Sequence, residues 1–285
     1  VRAENERSYP AQTRQWVLMP GNSRIRYNTL LDDYARFETE AAESRFNRYT
    51  DAADKSVGII ACGIAANYLA ENYPDGCPHP VLKISQYPLP SALVRRMASE
   101  CGSLLIIEEG QPVVEQAVRG ILPAPLEIRG RITGQLPRTG ELTPDSVRAA
   151  LGLAPHATHA ASQIVVPRPP ALCQGCGHRD VYTALKEIAD EYENAKVFSD
   201  IGCYTLGWLA PFHAIDTCVD MGASITMAKG AADAGVYPSI AVIGDSTFTH
   251  SGMTGLLDCV NENADVTIVI SDNETTAMTG GQDSA

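Results

Sequence analysis

No apolar run in this chain of 285 residues approaches the roughly 20 residues that a membrane-spanning helix needs, so the sequence offers no bilayer partner. Positive charge is scarce: 22 Lys and Arg stand against 34 Asp and Glu, for a formal net charge of -12. No basic block offsets that balance, and like charges repel nucleic acid and anionic membranes. The expected partners are small molecules or proteins. The N-terminus, Val1-Arg2-Ala3-Glu4-Asn5-Glu6-Arg7, is charged and precedes no apolar segment, so no secretory signal is read there. Cysteine is sparse as well. The eight, at 62, 77, 101, 173, 176, 203, 218 and 259, lack the density of a small disulfide scaffold and read as reduced thiols or metal ligands of a cytoplasmic protein.

What is present is a repeating alternation of apolar runs and helix-like segments, with 45% hydrophobic residues to fill a core. The length suits one large or two ordinary domains. Residues 1 to 30, with Pro10, Pro20 and Gly21, show no period and read as an irregular arm. Leu31 to Tyr49 reads as a helix carrying Leu30, Tyr34, Phe37, Ala41 and Ala42 along one face, so residues 1 to 50 form an arm and a helix. Between Val57 and Arg129, apolar runs at 57–60, 81–84, 104–107 and 126–128 alternate with helical segments at 64–72, 91–100 and 112–119. Strands separated by helices of that length pair in parallel. The expectation is two doubly wound, mostly parallel α/β domains, the first at 51–130 and the second at 166–285, with a Pro-rich linker at 131–165 lying over a surface and one short helix in it near 145–151. Glu108 and Glu109 read as solvated acids ending a strand, Cys62 as a buried structural thiol, and His156 and His159 as an unpartnered surface pair.

The chemistry gathers in the last third. Ser239 to Ile243 is an apolar run followed by Gly244-Asp245-Ser246, and Val266 to Ile270 is a second one followed by Ser271-Asp272-Asn273-Glu274-Thr275. The spacing matches a strand, helix and strand crossover of about 30 residues, which opens both turns at the same edge of the sheet. Asp245 and Asn273 then offer a carboxylate and an amide oxygen, the hard donors that Mg2+ prefers beside a phosphate. Gly244 is read as allowing a tight turn, and a helix from about Ser251 as presenting N–H groups to an anion. Gly222, Ala223 and Ser224 open another helix and form a further seat for phosphate oxygens. Taken alone, Gly-Asp and Asp-Asn are ordinary turn dipeptides. Cys173-Gln174-Gly175-Cys176 lets two thiolates face one iron-sulfur cluster or one zinc, or remain free or redox thiols, and Gly202-Cys203 sits at the end of a strand on the same edge.

Together these residues resemble the thiamine diphosphate motif of thiamine-dependent enzymes. The strings GDSTFTHSGMTGL, SDNETTAMTGGQDS, AIDTCVDMGASI and PPALCQGCGH are similar to the alpha subunit of indolepyruvate:ferredoxin oxidoreductases, within the 2-oxoacid:ferredoxin oxidoreductase family. SQYPLP and LLIIEEG resemble the domain of that family that corresponds to the C-terminal domain of transketolase, which implies a packing and dimer-forming role. The resemblance implies that Asp245, Asn273 and the carbonyl of Thr275 bind Mg2+, and that Cys173, Cys176 and Cys203 hold a [4Fe-4S] cluster whose fourth ligand lies further along the chain; Cys218 and Cys259 are candidates for it by count alone. Gly202, Cys203, Gly222, Ala223, Ser224, Gly244, Asp245, Ser246, Asn273 and Thr275 would line the thiamine diphosphate. The implied reaction is oxidative decarboxylation of a 2-oxoacid, an aryl pyruvate such as indolepyruvate, to acyl-CoA, with coenzyme A and ferredoxin as partners and a beta subunit beside it. No catalytic side chain is assigned. The start without Met and the stop at Gly280-Gly281-Gln282-Asp283-Ser284-Ala285 read as cut ends, and the family's aminopyrimidine-contacting domain and ferredoxin-like domain are not among these residues. A non-oxidative thiamine decarboxylase or synthase, and a non-catalytic metal or cluster scaffold, are the alternatives.

Overall fold

A computed structural model describes residues 19–122, 126–157, 160 and 162–284. The first eighteen residues of the N-terminal arm, and His159, lie outside the described residues. The chain divides into two compact units, Val1–Ala160 and Ala161–Ala285.

The first unit opens with helix α1 (Pro20–Glu43). Pro20 and Gly21 had suggested an irregular arm, but Pro20 occupies the first helical turn, where a missing N–H costs nothing. Of the apolar face expected on this helix, Ala41 is buried whereas Leu30, Tyr34 and Phe37 are exposed. The helix ends at Glu43, earlier than expected, because β1 (Arg48–Thr50) is drawn into an antiparallel ladder with β3 (Val81–Ile84). β2 (Gly58–Cys62), α2 (Ala65–Asn72), α3 (Ser91–Glu100), β4 (Ser103–Ile107), α4 (Val113–Ile121) and β5 (Glu127–Arg129) complete a sheet in the order β1-β3-β2-β4-β5. Apart from β1 every pairing is parallel. β2 and β4 are buried along their whole length, as their unbroken apolar runs require of strands covered on both faces.

Two sequence expectations fail in this unit for one reason. Glu108 is buried, and its carboxylate accepts the Val114 and Glu115 N–H groups at 2.9 and 2.8 Å, capping α4. Glu109 accepts the Leu142 N–H at 3.1 Å and so ties down the stretch expected to be a linker. That stretch packs inward: Leu136, Leu142 and, from α5 (Pro144–Ala150), Val147 and Ala150 join Ile59, Ala61 and Leu105 on one face of the sheet. Polar punctuation by Pro hid an apolar residue every few positions. Burial pushes the Glu108 carboxyl up from its usual range, against the pull of the two N–H donors. Glu108→Ala leaves both buried N–H groups without an acceptor, and a loss of about 1–3 kcal/mol is expected in urea unfolding. Unchanged stability would return Glu108 to the solvated role. Cys62 is buried as expected, its thiol pushed up to about 12 by burial and then by Glu108.

The second unit consists of α6 (Gly177–Asp190), β6 (Lys196–Ser199), a 3-10 segment (Cys203–Trp208), β7 (Thr217–Cys218), α7 (Ala223–Asp233), β8 (Ser239–Gly244), the helical turn α8 (Asp245–Thr247), a π turn (Phe248–Gly252), α9 (Met253–Asn261), β9 (Val266–Ser271) and a small hairpin of β10 (Thr275–Thr276) and β11 (Gln282–Asp283). Its parallel sheet runs β7-β6-β8-β9. The chain goes from β6 outward to β7 and returns to the other side of β6 with β8, so the strand order reverses between β6 and β8. Such a reversal opens a crevice at the carboxyl ends of the strands. Tyr182, Val197 and Val242 fill one face of this sheet, and Ile225, Ala241 and Ile243 the other.

Candidate cofactor site

The register of the second sheet sets Ser199 beside Val242, and Gly244 beside Ser271. The residues that follow β6, β8 and β9 therefore emerge together at one edge. They line a pocket of about 130 Å3 that contains Gly202, Cys203, Gly244, Asp245, Ser246, Asn273 and Thr275 of the expected set, with His178, Tyr204 and Thr247 in addition.

Asp245 is the first residue of α8 rather than a loop residue, because the chain turns from β8 directly into helix; the helix start expected near Ser251 is already a turn and a half along. Asp245 Oδ2 is buried without a hydrogen-bond partner among the described residues. Burial would raise the Asp245 carboxyl, but the Ser284 hydroxyl and the Ser246 N–H outweigh it and hold the carboxyl below its usual range. A buried charged oxygen with no partner is costly unless a cation meets it. Asn273 Oδ1 accepts the Thr275 N–H at 3.4 Å in an Asx turn, and Glu274 between them adopts a left-handed φ of 54°. The two turns are joined by a 2.7 Å hydrogen bond between the Ser246 and Thr276 hydroxyls. The donor set, one carboxylate and one amide oxygen on adjacent turns, fits a hard divalent cation such as Mg2+.

Gly244 is not needed for a tight turn. Its φ of −83° and ψ of 162° are extended values open to any residue. What excludes a side chain is Tyr204, whose ring lies across both Gly244 and Gly202; a Cβ at Gly202 would come within 2.6 Å of the ring. Tyr204 is fixed there by donating to the Ile201 carbonyl at 2.9 Å and by the Thr247 hydroxyl at 2.5 Å, and burial pushes its phenol up to about 12. His178 is buried against it, ring edge to ring face at 5.9 Å, with Nδ1 2.6 Å from the Ser271 hydroxyl. Burial lowers the His178 pKa and Asp245 opposes the shift.

The proposed phosphate seat at the start of α7 is already occupied by a side chain. Asp200, fully buried at the end of β6, accepts the Gly222 N–H, the Ser224 N–H at 3.1 Å and the Ser224 hydroxyl. The anion that neutralises this helix N-terminus belongs to the protein itself. Ser224 therefore holds Asp200 and does not face the pocket, and Gly222, at φ 99°, bends the chain so that both N–H groups reach the carboxylate. Neither Gly222 nor Ala223 lines the pocket. Asp200 and Tyr204 escaped sequence reasoning although both flank the quoted Gly202-Cys203; an acid directly after an apolar strand was the available signal for the first.

The cysteines divide likewise. Cys173 is exposed, and Cys176 and Cys203 are partly buried. Gly175, at φ 70°, closes the turn in which the Cys176 N–H reaches the Cys173 carbonyl at 3.3 Å. Burial raises the Cys203 thiol, and the Cys176 and Cys173 thiols add to the rise. They do not close into a ligand cluster: no group of three or more His, Cys, Asp or Glu converges on a metal position among the described residues. Cys218 donates to the Asp200 carbonyl at 3.3 Å, and Cys259 is buried in the core.

Three similarities follow. The C-terminal thiamine pyrophosphate-binding domain of thiamine pyrophosphate enzymes matches residues 200–285. The indolepyruvate oxidoreductase subunit IorA of Methanothermobacter thermautotrophicus is 36% identical over 99% of this chain and 48% of its own length, and that of Archaeoglobus fulgidus 37% identical over 93% and 44%. A solved 2-oxoglutarate:ferredoxin oxidoreductase from Magnetococcus marinus, with 2-oxoglutarate, coenzyme A and succinyl-CoA bound, matches 42% of this chain and 42% of its own at 22% identity with a TM-score of 0.35, a likeness that carries no argument. The chain spans about half the length of the curated relatives it matches. Over nearly its whole length the chain is therefore a relative of the indolepyruvate oxidoreductase subunits IorA.

Proposed function

We propose that this chain supplies the diphosphate end of a thiamine diphosphate site in an enzyme that decarboxylates a 2-oxoacid oxidatively, an aryl pyruvate such as indolepyruvate being the substrate. The carrying observation is the buried Asp245 Oδ2, without a partner among the described residues, in a pocket shared with Asn273 and Thr275. Asp245, Asn273 and the Thr275 carbonyl hold Mg2+, and Ser246 joins their two turns. Asp200 and Ser224 fix the start of α7, and Tyr204 and His178 wall the pocket against water. When bound, the cofactor supplies the carbon chemistry of decarboxylation, and the protein supplies position and electrostatics. Coenzyme A takes the acyl group and ferredoxin the electrons, with a beta subunit completing a cytoplasmic assembly that dimerises.

Cys173, Cys176 and Cys203 are the proposed protein ligands of a [4Fe-4S] cluster, which supplies one-electron steps. Cys203 on the pocket wall and the Cys173–Cys176 turn support the reading over a non-oxidative decarboxylase, whose reaction needs no electron relay. The test uses the full-length subunit with its partner: ferredoxin reduction on addition of indolepyruvate and coenzyme A is expected, and aldehyde release without electron transfer would favour the non-oxidative alternative. In the same protein, Cys176→Ser is expected to lower the iron and acid-labile sulfide content measured after anaerobic purification; unaltered iron would remove this residue from the ligand set.

A further inference from the structure

The first unit contains a concavity that the thiamine reading does not use. It encloses about 510 Å3 between α2 on one side and the strands β1 and β3 on the other. That volume falls in the range of small-molecule sites, about 300–1,000 Å3. Its charge runs against that of the whole chain: in a protein of net charge -12, Arg45, Arg48 and Lys83 all line it. None of the three makes an ion pair among the described residues.

Arg48 and Lys83 are direct partners across the antiparallel β1–β3 ladder. Like charges placed opposite each other on two strands destabilise the pairing. The fold nevertheless keeps them there. Asn47, buried just before Arg48, accepts the Ser85 and Gln86 N–H groups at 2.8 and 2.9 Å and donates to the Ala41 carbonyl at 2.9 Å, so the register is fixed. His79, also on the wall, lies 3.4 Å from Asp54, and among the described residues no acidic one lines the pocket. The rest of the wall is partly aromatic: Tyr73 lines the pocket, and Phe46, 54% exposed, carries the Arg45 guanidinium 4.8 Å from its ring centroid.

We propose that this pocket binds a nucleoside-phosphate-class anion, its phosphate oxygens between Arg48 and Lys83 and its flat ring against Phe46 and Tyr73. A phosphate group converts the repelling pair into two charge-assisted contacts, and Arg adds the planar fork that suits phosphate geometry. The aromatic side chains offer a face to a planar base. The proposal stands independently of the thiamine site, since every residue it uses belongs to the first unit.

The test is calorimetric titration of the chain with ADP and, separately, with inorganic pyrophosphate, in EDTA so that no divalent cation supports the thiamine pocket. ADP is expected to bind, more tightly than pyrophosphate, with the same affinity in Asp245→Ala. Lys83→Gln and Arg48→Gln are each expected to weaken it about tenfold or more. The melting temperature of each variant without ligand is expected to stay level or rise, because the substitution removes a repulsion. Phe46→Ala is expected to weaken ADP and leave pyrophosphate unchanged. No binding at millimolar ADP, binding that survives both charge substitutions, or saturation by an acidic peptide in place of ADP would each overturn the proposal.

Discussion

Asp245→Ala is expected to weaken Mg2+-dependent thiamine diphosphate binding at least about a hundredfold, since charge-assisted contacts of about 1.5–3 kcal/mol are lost together with the neutralisation of the diphosphate. The structure adds a second expectation that separates a ligand from a structural acid. Asp245 Oδ2 is buried with no hydrogen-bond partner among the described residues, while the Ser284 hydroxyl and the Ser246 N–H keep the carboxyl ionised. The variant without cofactor is expected to melt only slightly below the parent, because it loses the Ser246 and Ser284 contacts and no core packing. Asp245→Asn is expected to fall between, keeping an oxygen and losing the charge. Calorimetry that finds parental affinity in Asp245→Ala refutes the metal assignment. A large drop in melting temperature without cofactor would show instead that Asp245 serves the fold.

Gly244→Ala is the second substitution with a large expected effect, and it acts through Tyr204 rather than through the backbone. The added methyl meets the Tyr204 ring, which is held by its hydrogen bonds to Ile201 and Thr247. Overpacking of this kind costs about 1–3 kcal/mol, and displacement of Tyr204 also alters the pocket wall, so thiamine diphosphate binding is expected to fall with stability. The signature is non-additivity. In a Tyr204→Ala background, Gly244→Ala is expected to cost much less, because the obstructing ring is gone. Additive losses in urea unfolding would mean that Gly244 is required for some reason other than this contact.

Much of the site was legible because its signals are local. Asp245 and Asn273 each follow an apolar strand, and the interval between them fits one helical crossover, so topology alone brings them to one edge. The same logic placed Cys203 there. The residues that escaped are those whose roles depend on what packs against them. Nothing in the composition around Glu108 distinguishes a solvated acid from a helix cap; the difference is that Val114 and Glu115 turn their N–H groups toward it. Ser224 looked like a phosphate ligand since it opens a helix, yet Asp200 from a different strand reaches that helix first. The inward packing of Leu136 and Leu142 was masked by the prolines between them.

The sequence by itself determined that two mostly parallel α/β units are built here and that the turns after β8 and β9 open at one edge, because hydrophobic period and crossover length act along the chain. Only the tertiary structure decided which donors remain free to meet a ligand. Asp200 fills the start of α7, Tyr204 forces glycine at two positions, and Asp245 is left with a buried oxygen that no described residue satisfies. Those outcomes depend on distances between residues remote in sequence, which no local pattern encodes.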